Sequence, residues 1–391
     1  MAKNLNVMNV AIIQRVLPRY RLPVFEKIGR SYQTALTVYS GDKLGIRESV
    51  TDSQTPAFKL CSVYTAEIRI LGLTFCIQPG VPWHILFGRH DALIVEASPW
   101  VLSNWLVFVI AKLKRTPIIG WGSGSGKVWD SKLQTLFSPI QKLLFKFVFD
   151  ACIAYGSSSA ELFNNLGHPK DKIFLAWNSI DTEETEKRIS EICNDSSHVE
   201  KLKKQLGLNT YKTVLFVGQL QPPKQIPNLL KAFAIIKRNL PDCGLIIVGD
   251  GPERNYLQEV SQSLSLDDVI FLGDLRGKNL AEIFVVADVF VLPGWGGLAI
   301  QEAVSYGLPV VTTRGDGTAV DLVQNEINGF ILSEGKPEYI AEKIRTILTD
   351  DTLCKNMGKQ SRQIALHKIN IDTMVEGFLN AIRSVNSRPN I

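Results

Sequence analysis

Short apolar runs recur along the chain, separated by stretches with helical periodicity. In the first half the runs fall at 7–13, 35–39, 92–95, 117–120, 151–154 and 173–176, with helical patterns at 22–29 and 132–149 among the intervals. In the second half they fall at 213–217, 244–248, 269–272, 289–292 and 310–313. After Pro227, residues Leu229, Leu230, Phe233 and Ile236 share one helical face. Continuous apolar strands alternating with helices predict parallel sheets covered on both faces. Residues 182–208 are charged and helical in pattern, with a polar break at 194–197, and they separate the two series. The expectation is an α/β chain of two doubly wound, Rossmann-like parallel-sheet domains, 1–178 and 179–369, facing a cleft. Ligands in such folds bind where strands end in glycine-bearing loops.

Composition supports two well-filled cores: 45% of the 391 residues are hydrophobic and 21% charged. The six cysteines stand far apart without a C-x-x-C pair, which predicts buried, reduced thiols in a cytoplasmic protein. The first apolar run leads into Gln14 and Arg15, not into a small-residue cleavage site. The longest apolar candidate, 100–111, is interrupted by Ser103 and Asn104 and falls short of the roughly 20 residues of a membrane span. Charge is uneven. Residues 1–178 hold 20 Lys and Arg against 11 Asp and Glu, a net of +9, and the remainder holds 23 against 27, a net of −4. A basic first half suits an anionic partner such as a phospholipid surface or a lipid diphosphate. A nucleic acid is disfavoured, because no basic motif carries stacking aromatics. The histidines show no metal-ligand spacing.

Four segments carry candidate chemistry. In VGQLQPPK (217–224) a strand ends, Gly218 turns the chain and Lys224 stands just before a helix, an arrangement suited to a phosphate. In VGDGPER (248–254) a strand runs into a glycine turn at Gly251 and then a helix. The most specific segment is LPGWGGLAIQEAVSYGLPVV (292–311). Its glycines leave the backbone bare, and the unpaired N–H groups of the helix starting near Leu298 point back into the loop. A diphosphate can reach those groups, and Glu302, one turn into the helix, is placed to accept hydrogen bonds from sugar hydroxyls. RGDGT (314–318) is a further glycine loop in which Asp316 and Thr318 are candidates for contact with the sugar.

The order and spacing of these segments resemble the C-terminal domain of retaining glycosyltransferase family 4, which has the GT-B fold. The resemblance is strong over 212–332 and includes FLGDL (271–275), with Leu272, as well as ADVFVLP (287–293) and NGF (328–330). RVLPRYRLPVFEKI (15–28) and WNSID (177–181) resemble the family more loosely. The resemblance implies a nucleoside-diphosphate sugar donor, with Lys224 on the diphosphate, the N–H groups of Gly297, Leu298 and Ala299 on the phosphate, and Glu302 on the ribose as the second glutamate of a Glu-x7-Glu motif. It also implies retention of anomeric configuration and a helix over 370–391 that crosses back to the first domain. The chain departs from the family pattern in three places. Gln219 replaces a common Arg, Gly294 stands where the first motif glutamate falls, and IIGWGSGSGK (118–127) lacks the histidine found in many members.

The expected reaction is sugar transfer to a saccharide or lipid-linked acceptor in polysaccharide or glycoconjugate synthesis. Negative charge grows on the leaving diphosphate, where Lys224 and the loop amides are fixed to meet it. Without an Asp-x-Asp box, metal independence and no cofactor are expected. Arg19, Tyr20 and Arg21 follow the first strand and are expected to meet the acceptor, with Trp121 shaping its pocket. The stretch from Phe137 to Phe149, with Lys142 and Lys146, reads as a Rossmann helix or as a surface-lying basic amphipathic helix giving peripheral membrane contact. Other readings remain open: a non-catalytic pseudo-transferase, motivated by Gly294 and Gln219, and a different enzyme on the same fold, either a phosphorylase or a nucleotide-sugar epimerase, for the latter of which no convincing acid–base pair is found.

Overall fold

The computed structural model describes residues 7–31, 34–41, 56–70, 73–123, 139–208, 212–315 and 317–386. It divides into two compact units, Met1–Asn178 with Ile371–Ile391, and Ser179–Asn370.

The first unit is built on a seven-stranded parallel sheet. Its strands are β1 (Met8–Val16), β2 (Thr34–Gly41), β3 (Phe58–Val63), β6 (Ala92–Glu96), β7 (Ile118–Gly122), β8 (Ala151–Ala154) and β9 (Ile173–Leu175), in the spatial order β3-β2-β1-β6-β7-β8-β9. A separate antiparallel hairpin, β4 (Ala66–Ile70) and β5 (Leu73–Ile77), interrupts the series. Central strands such as β6 and β8 are almost wholly apolar because helices cover both faces. On one face the Leu22–Arg30 helix and the terminal Ile371–Asn386 helix bury Val24, Phe25, Ile28, Met374, Phe378 and Ile382. On the other, helices between β5 and β9 bury Val81, Ile85, Val107, Phe108, Phe145 and Phe163.

The second unit has a six-stranded parallel sheet of β10 (Lys212–Val217), β11 (Cys243–Val248), β12 (Val269–Gly273), β13 (Val289–Leu292), β14 (Val310–Thr313) and β15 (Gly329–Leu332). Its order is β12-β11-β10-β13-β14-β15. The strand order therefore reverses between β10 and β13, which pair in parallel through Val214 with Val289 and Leu215 with Phe290. The charged stretch after Asn178 forms two helices, Thr182–Cys193 and Ser196–Gln205. Asp181 accepts from the Glu184 N–H at 3.1 Å to start the first, and Asp195 caps the second.

The α/β class and both doubly wound sheets agree with the sequence pattern. Four strands escaped it. β3 is a half-exposed edge, β4 and β5 form the hairpin, and β15 is a four-residue edge. The helix expected over 132–149 is described only from 139, and its last turn, Leu144–Val148, is a π-helix.

Candidate functional site

The loops at the C-terminal ends of the second sheet are joined strand to strand by hydrogen bonds. The Gly249 N–H donates to the Gly273 carbonyl at 2.7 Å, the Gly218 N–H to Val248 at 3.0 Å, and the Leu220 N–H to Asp250 at 2.9 Å. Across the reversal of strand order, the Trp295 N–H donates to the Pro223 carbonyl at 2.9 Å. The Thr313 hydroxyl then donates to the Pro293 carbonyl at 2.9 Å. The ends of β12, β11, β10, β13 and β14 thus form one backbone-lined floor at the switch point, where open α/β sheets bind ligands.

Lys224 closes a short 3-10 turn, Pro222–Lys224, after β10, and the Ile226–Lys237 helix follows. Between them Gln225 adopts a left-handed conformation, with φ at 54°, which is costly for a residue with a side chain. The Lys224 ammonium donates to the carbonyls of Trp295 and Gly296, each at 2.7 Å. It is thereby fixed at the mouth of the loop that leads into the Leu298–Ser305 helix. Gly297, with φ at 99°, caps that helix and turns its first N–H groups toward the loop. Gly294 lies against the lysine loop. A Cβ built on it would stand 2.0 Å from the Pro223 oxygen and 2.9 Å from the Lys224 Cα. The close approach of the β10 and β13 loops requires this residue to have no side chain.

Glu302 lies one turn into the helix, and burial pushes its carboxyl up to about 7, partly opposed by the Arg188 guanidinium. Arg188 projects from the Thr182–Cys193 helix, bonds Glu184 at 3.0 Å and contacts the Tyr306 hydroxyl. Tyr306 stacks on Phe284 with ring centres 4.9 Å apart. Arg188 is the residue that sequence reasoning missed here, because nothing local marks a charged-helix arginine as the neighbour of a distant glutamate. Next to Glu302, Gln301 is fully buried. Its Oε1 accepts from the Ile180 N–H at 2.8 Å, and its Nε2 donates to the Ser179 hydroxyl at 3.0 Å and the Ile369 carbonyl at 3.3 Å.

The other expected donor residues fall on the same floor. Gly218 and the exposed Gln219 follow β10, and a Cβ on Gly251 would meet the Leu220 oxygen at 2.3 Å. Leu272 is half-buried near the end of β12. Thr318 precedes the short Ala319–Leu322 helix. Asp316 lies outside the described residues. A pocket of about 610 Å³ opens beside Gly294 and Trp295, lined also by Gln225, Asn228, Arg314 and Lys336. The Arg254–Ser263 helix follows Gly251, with Pro252 and Glu253 in the turn before it.

In the first unit, Arg19 is exposed and Tyr20 half-buried in the 3-10 turn after β1. The Arg21 guanidinium lies 4.5 Å over the Trp121 ring, donates to the Gln14 Oε1 at 2.9 Å and to the Tyr155 hydroxyl at 2.5 Å. Among the described residues no carboxylate pairs with it. The adjacent Glu96 is held by Arg15 at 2.7 Å. Burial pushes the Tyr155 hydroxyl up to about 12, against the lowering effect of Arg21. The expectation for Trp121 needs correction: it is 1% exposed, packed edge-on against Phe25, Tyr155 and Phe378, so it does not line a sugar pocket. A wide apolar ring at the end of a central strand is taken up by the core, and its remaining face supports Arg21. Residues 124–127 of the adjacent glycine stretch lie outside the described residues.

Residues 198–364 match the family model of glycosyl transferases group 1. The chain is 26% identical over 234 residues to N-acetyl-alpha-D-glucosaminyl L-malate synthase of Bacillus anthracis, covering 59% of this chain and 58% of that one. It is 40% identical over 124 residues to a GDP-mannose-dependent alpha-mannosyltransferase of Corynebacterium glutamicum, covering 31% and 27%. These matches span about half or less of the relatives' lengths. Anabaena HepE in its complex with UDP superposes with a TM-score of 0.75 at 19% identity, covering 97% of this chain and 100% of that one. The chain has the GT-B fold, and residues 198–364, which hold Lys224, Gly294 and Glu302, are the part that matches glycosyl transferases group 1.

Proposed function

We propose that the chain is a glycosyltransferase that takes a sugar from a nucleoside-diphosphate sugar and passes it to a saccharide or lipid-linked acceptor. The observation that carries this reading is the floor at the β10–β13 reversal, where Lys224 is tied to the Trp295 and Gly296 carbonyls directly before the Leu298–Ser305 helix. HepE has been crystallised with UDP-glucose and with UDP and glucose, which supports a donor of this class.

The diphosphate lies against the amides of Gly297, Leu298 and Ala299, and Glu302 accepts from the ribose hydroxyls. As the bond from anomeric carbon to phosphate oxygen lengthens, charge grows on the diphosphate, and the ammonium and amides already face it. Thr318, before the Ala319–Leu322 helix, contacts the sugar, and Asp316, outside the described residues, is the second candidate for that role by its place in the sequence. In the first unit Arg21, with Arg19 and Tyr20, binds the acceptor. Transfer proceeds with retention and without a metal, in polysaccharide or glycoconjugate synthesis.

Calorimetry with UDP, GDP, ADP and their sugar conjugates tests the donor site. Micromolar binding of one nucleotide is expected. Lys224→Ala should weaken it by about tenfold to a hundredfold, the worth of a charge-assisted hydrogen bond. No binding at millimolar concentration would end this reading. Gly294 favours one second reading, a donor-binding pseudo-transferase, because the position of the first motif glutamate excludes any side chain. Donor binding without turnover across an acceptor panel would select it.

A further inference from the structure

Three helical segments lie on one face of the first sheet: Gly80–Phe87, Leu102–Leu113 and residues 139–148. Their inner sides supply one core, through Val81, Ile85, Val107, Phe108, Leu144 and Phe145. Their outer sides are apolar as well. On Leu102–Leu113 the exposed residues Leu102, Leu106, Val109 and Leu113 recur at helical spacing along the whole length, and Leu113 is 80% exposed. The neighbouring segments add Trp83 at 63% and Phe87 at 79%, with rings stacked 6.0 Å apart, and Ile140, Leu143 and Phe147, the last at 63%. A water-facing helix of a folded domain normally carries polar residues on that side, so large exposed apolar residues on the outer sides of all three segments mark a surface made to be covered.

The charges around the stripe identify what covers it. The exposed Arg89, Lys112, Arg115, Lys142 and Lys146 stand beside it in the same segments, Lys114 is spent on the Ile85, Leu86 and Gly88 carbonyls, and residues 80–90, 101–117 and 139–149 contain no Asp or Glu. The flanking Asp150 is taken up by the Ile118 N–H at 2.9 Å and Lys112 at 3.6 Å. We propose that this face docks on an anionic phospholipid surface, its leucines and aromatic rings entering the headgroup layer and its lysines meeting lipid phosphates. Tryptophan and phenylalanine on the outer side suit the boundary between headgroups and acyl chains. A second copy docked through a twofold axis would set this rim of cations against itself. Among the described residues no helix is long and apolar enough to cross a membrane, so the contact is interfacial. The proposal gives the lipid-linked acceptor reading a physical surface, but vesicle binding and nucleotide binding are measured separately, so either can fail alone.

The test is co-sedimentation of the full chain with vesicles of phosphatidylcholine alone and of phosphatidylcholine mixed with phosphatidylglycerol. Binding to the anionic vesicles, weakened by salt and accompanied by a blue shift of tryptophan emission, is expected. The exposed double substitution Leu106→Glu with Phe147→Glu should lower partition at least about tenfold, with circular dichroism and nucleotide binding unchanged. The milder Lys142→Gln with Lys146→Gln should reduce binding to anionic vesicles only. Absence of wild-type binding, equal binding to neutral vesicles, or full retention by the glutamate variant would each overturn the proposal. So would a wild-type dimer by light scattering that the glutamate variant dissolves, since the face would then join two copies.

Discussion

Glu302 shows what one residue's surroundings add to its place in the sequence. Its position one turn into a helix after a glycine loop is legible from spacing alone. Its raised carboxyl is not, because the burial that raises it and the nearby Arg188 that opposes the rise both come from packing. If the ionised carboxylate receives the ribose hydroxyls, donor affinity must fall as pH drops through about 7, where the group takes up a proton. A UDP-sugar is the right probe, because its diphosphate diester does not titrate in this range. Affinity should decline by up to about tenfold between pH 8 and 6, and Glu302→Gln should flatten the profile, as measured by calorimetry at each pH. Gly294 carries the opposite lesson. The sequence shows a glutamate missing from a motif, whereas the structure shows a loop closed over its place. Gly294→Glu is therefore expected to weaken nucleotide binding severalfold instead of adding a contact, and a gain in affinity or turnover would contradict the close approach described here.

Among elements, the Leu298–Ser305 helix joins the donor floor to both chain crossings of its unit. Buried Gln301 bonds Ser179 and Ile180 on the way in and Ile369 on the way out. Removing its amide leaves the part-buried Ile180 N–H without its partner, so Gln301→Ala should cost about 1–3 kcal/mol of stability, read by denaturant unfolding of the Ser179–Asn370 transition. Gln301→Glu is the sharper control, since it keeps the acceptor and loses the donor. The strands that carry the floor were legible because β10, β11, β13 and β14 are buried almost throughout and hold apolar runs, Val214–Val217 in β10 and Val310–Val311 in β14 among them. β3 and the β4–β5 hairpin were not, because edges and hairpins mix polar positions into their runs. Loop-to-loop bonds such as Trp295 to Pro223 leave no trace in a sequence at all, since any residue supplies a backbone N–H.

For the whole molecule, the two sheets differ in how their chain is supplied. The Ser179–Asn370 unit is continuous, whereas the first unit takes its last helix, Ile371–Asn386, from the far end of the chain. That helix is core and not trim. Phe378 is fully buried with its ring 4.8 Å from Trp121, and a Cβ on Gly377 would stand 2.1 Å from the Leu175 oxygen. Phe378→Ala should lower the stability of the first unit by about 3–5 kcal/mol, seen as an earlier thermal transition while nucleotide-stabilised unfolding of the second unit stays in place. The same arrangement sets an order of events during synthesis. Domains usually fold in the order they leave the ribosome. Here the strands of the first sheet leave the ribosome before the Ile371–Asn386 helix that walls one side of their core, with the whole Ser179–Asn370 unit made in between, so Trp121 waits for Phe378 until that helix emerges.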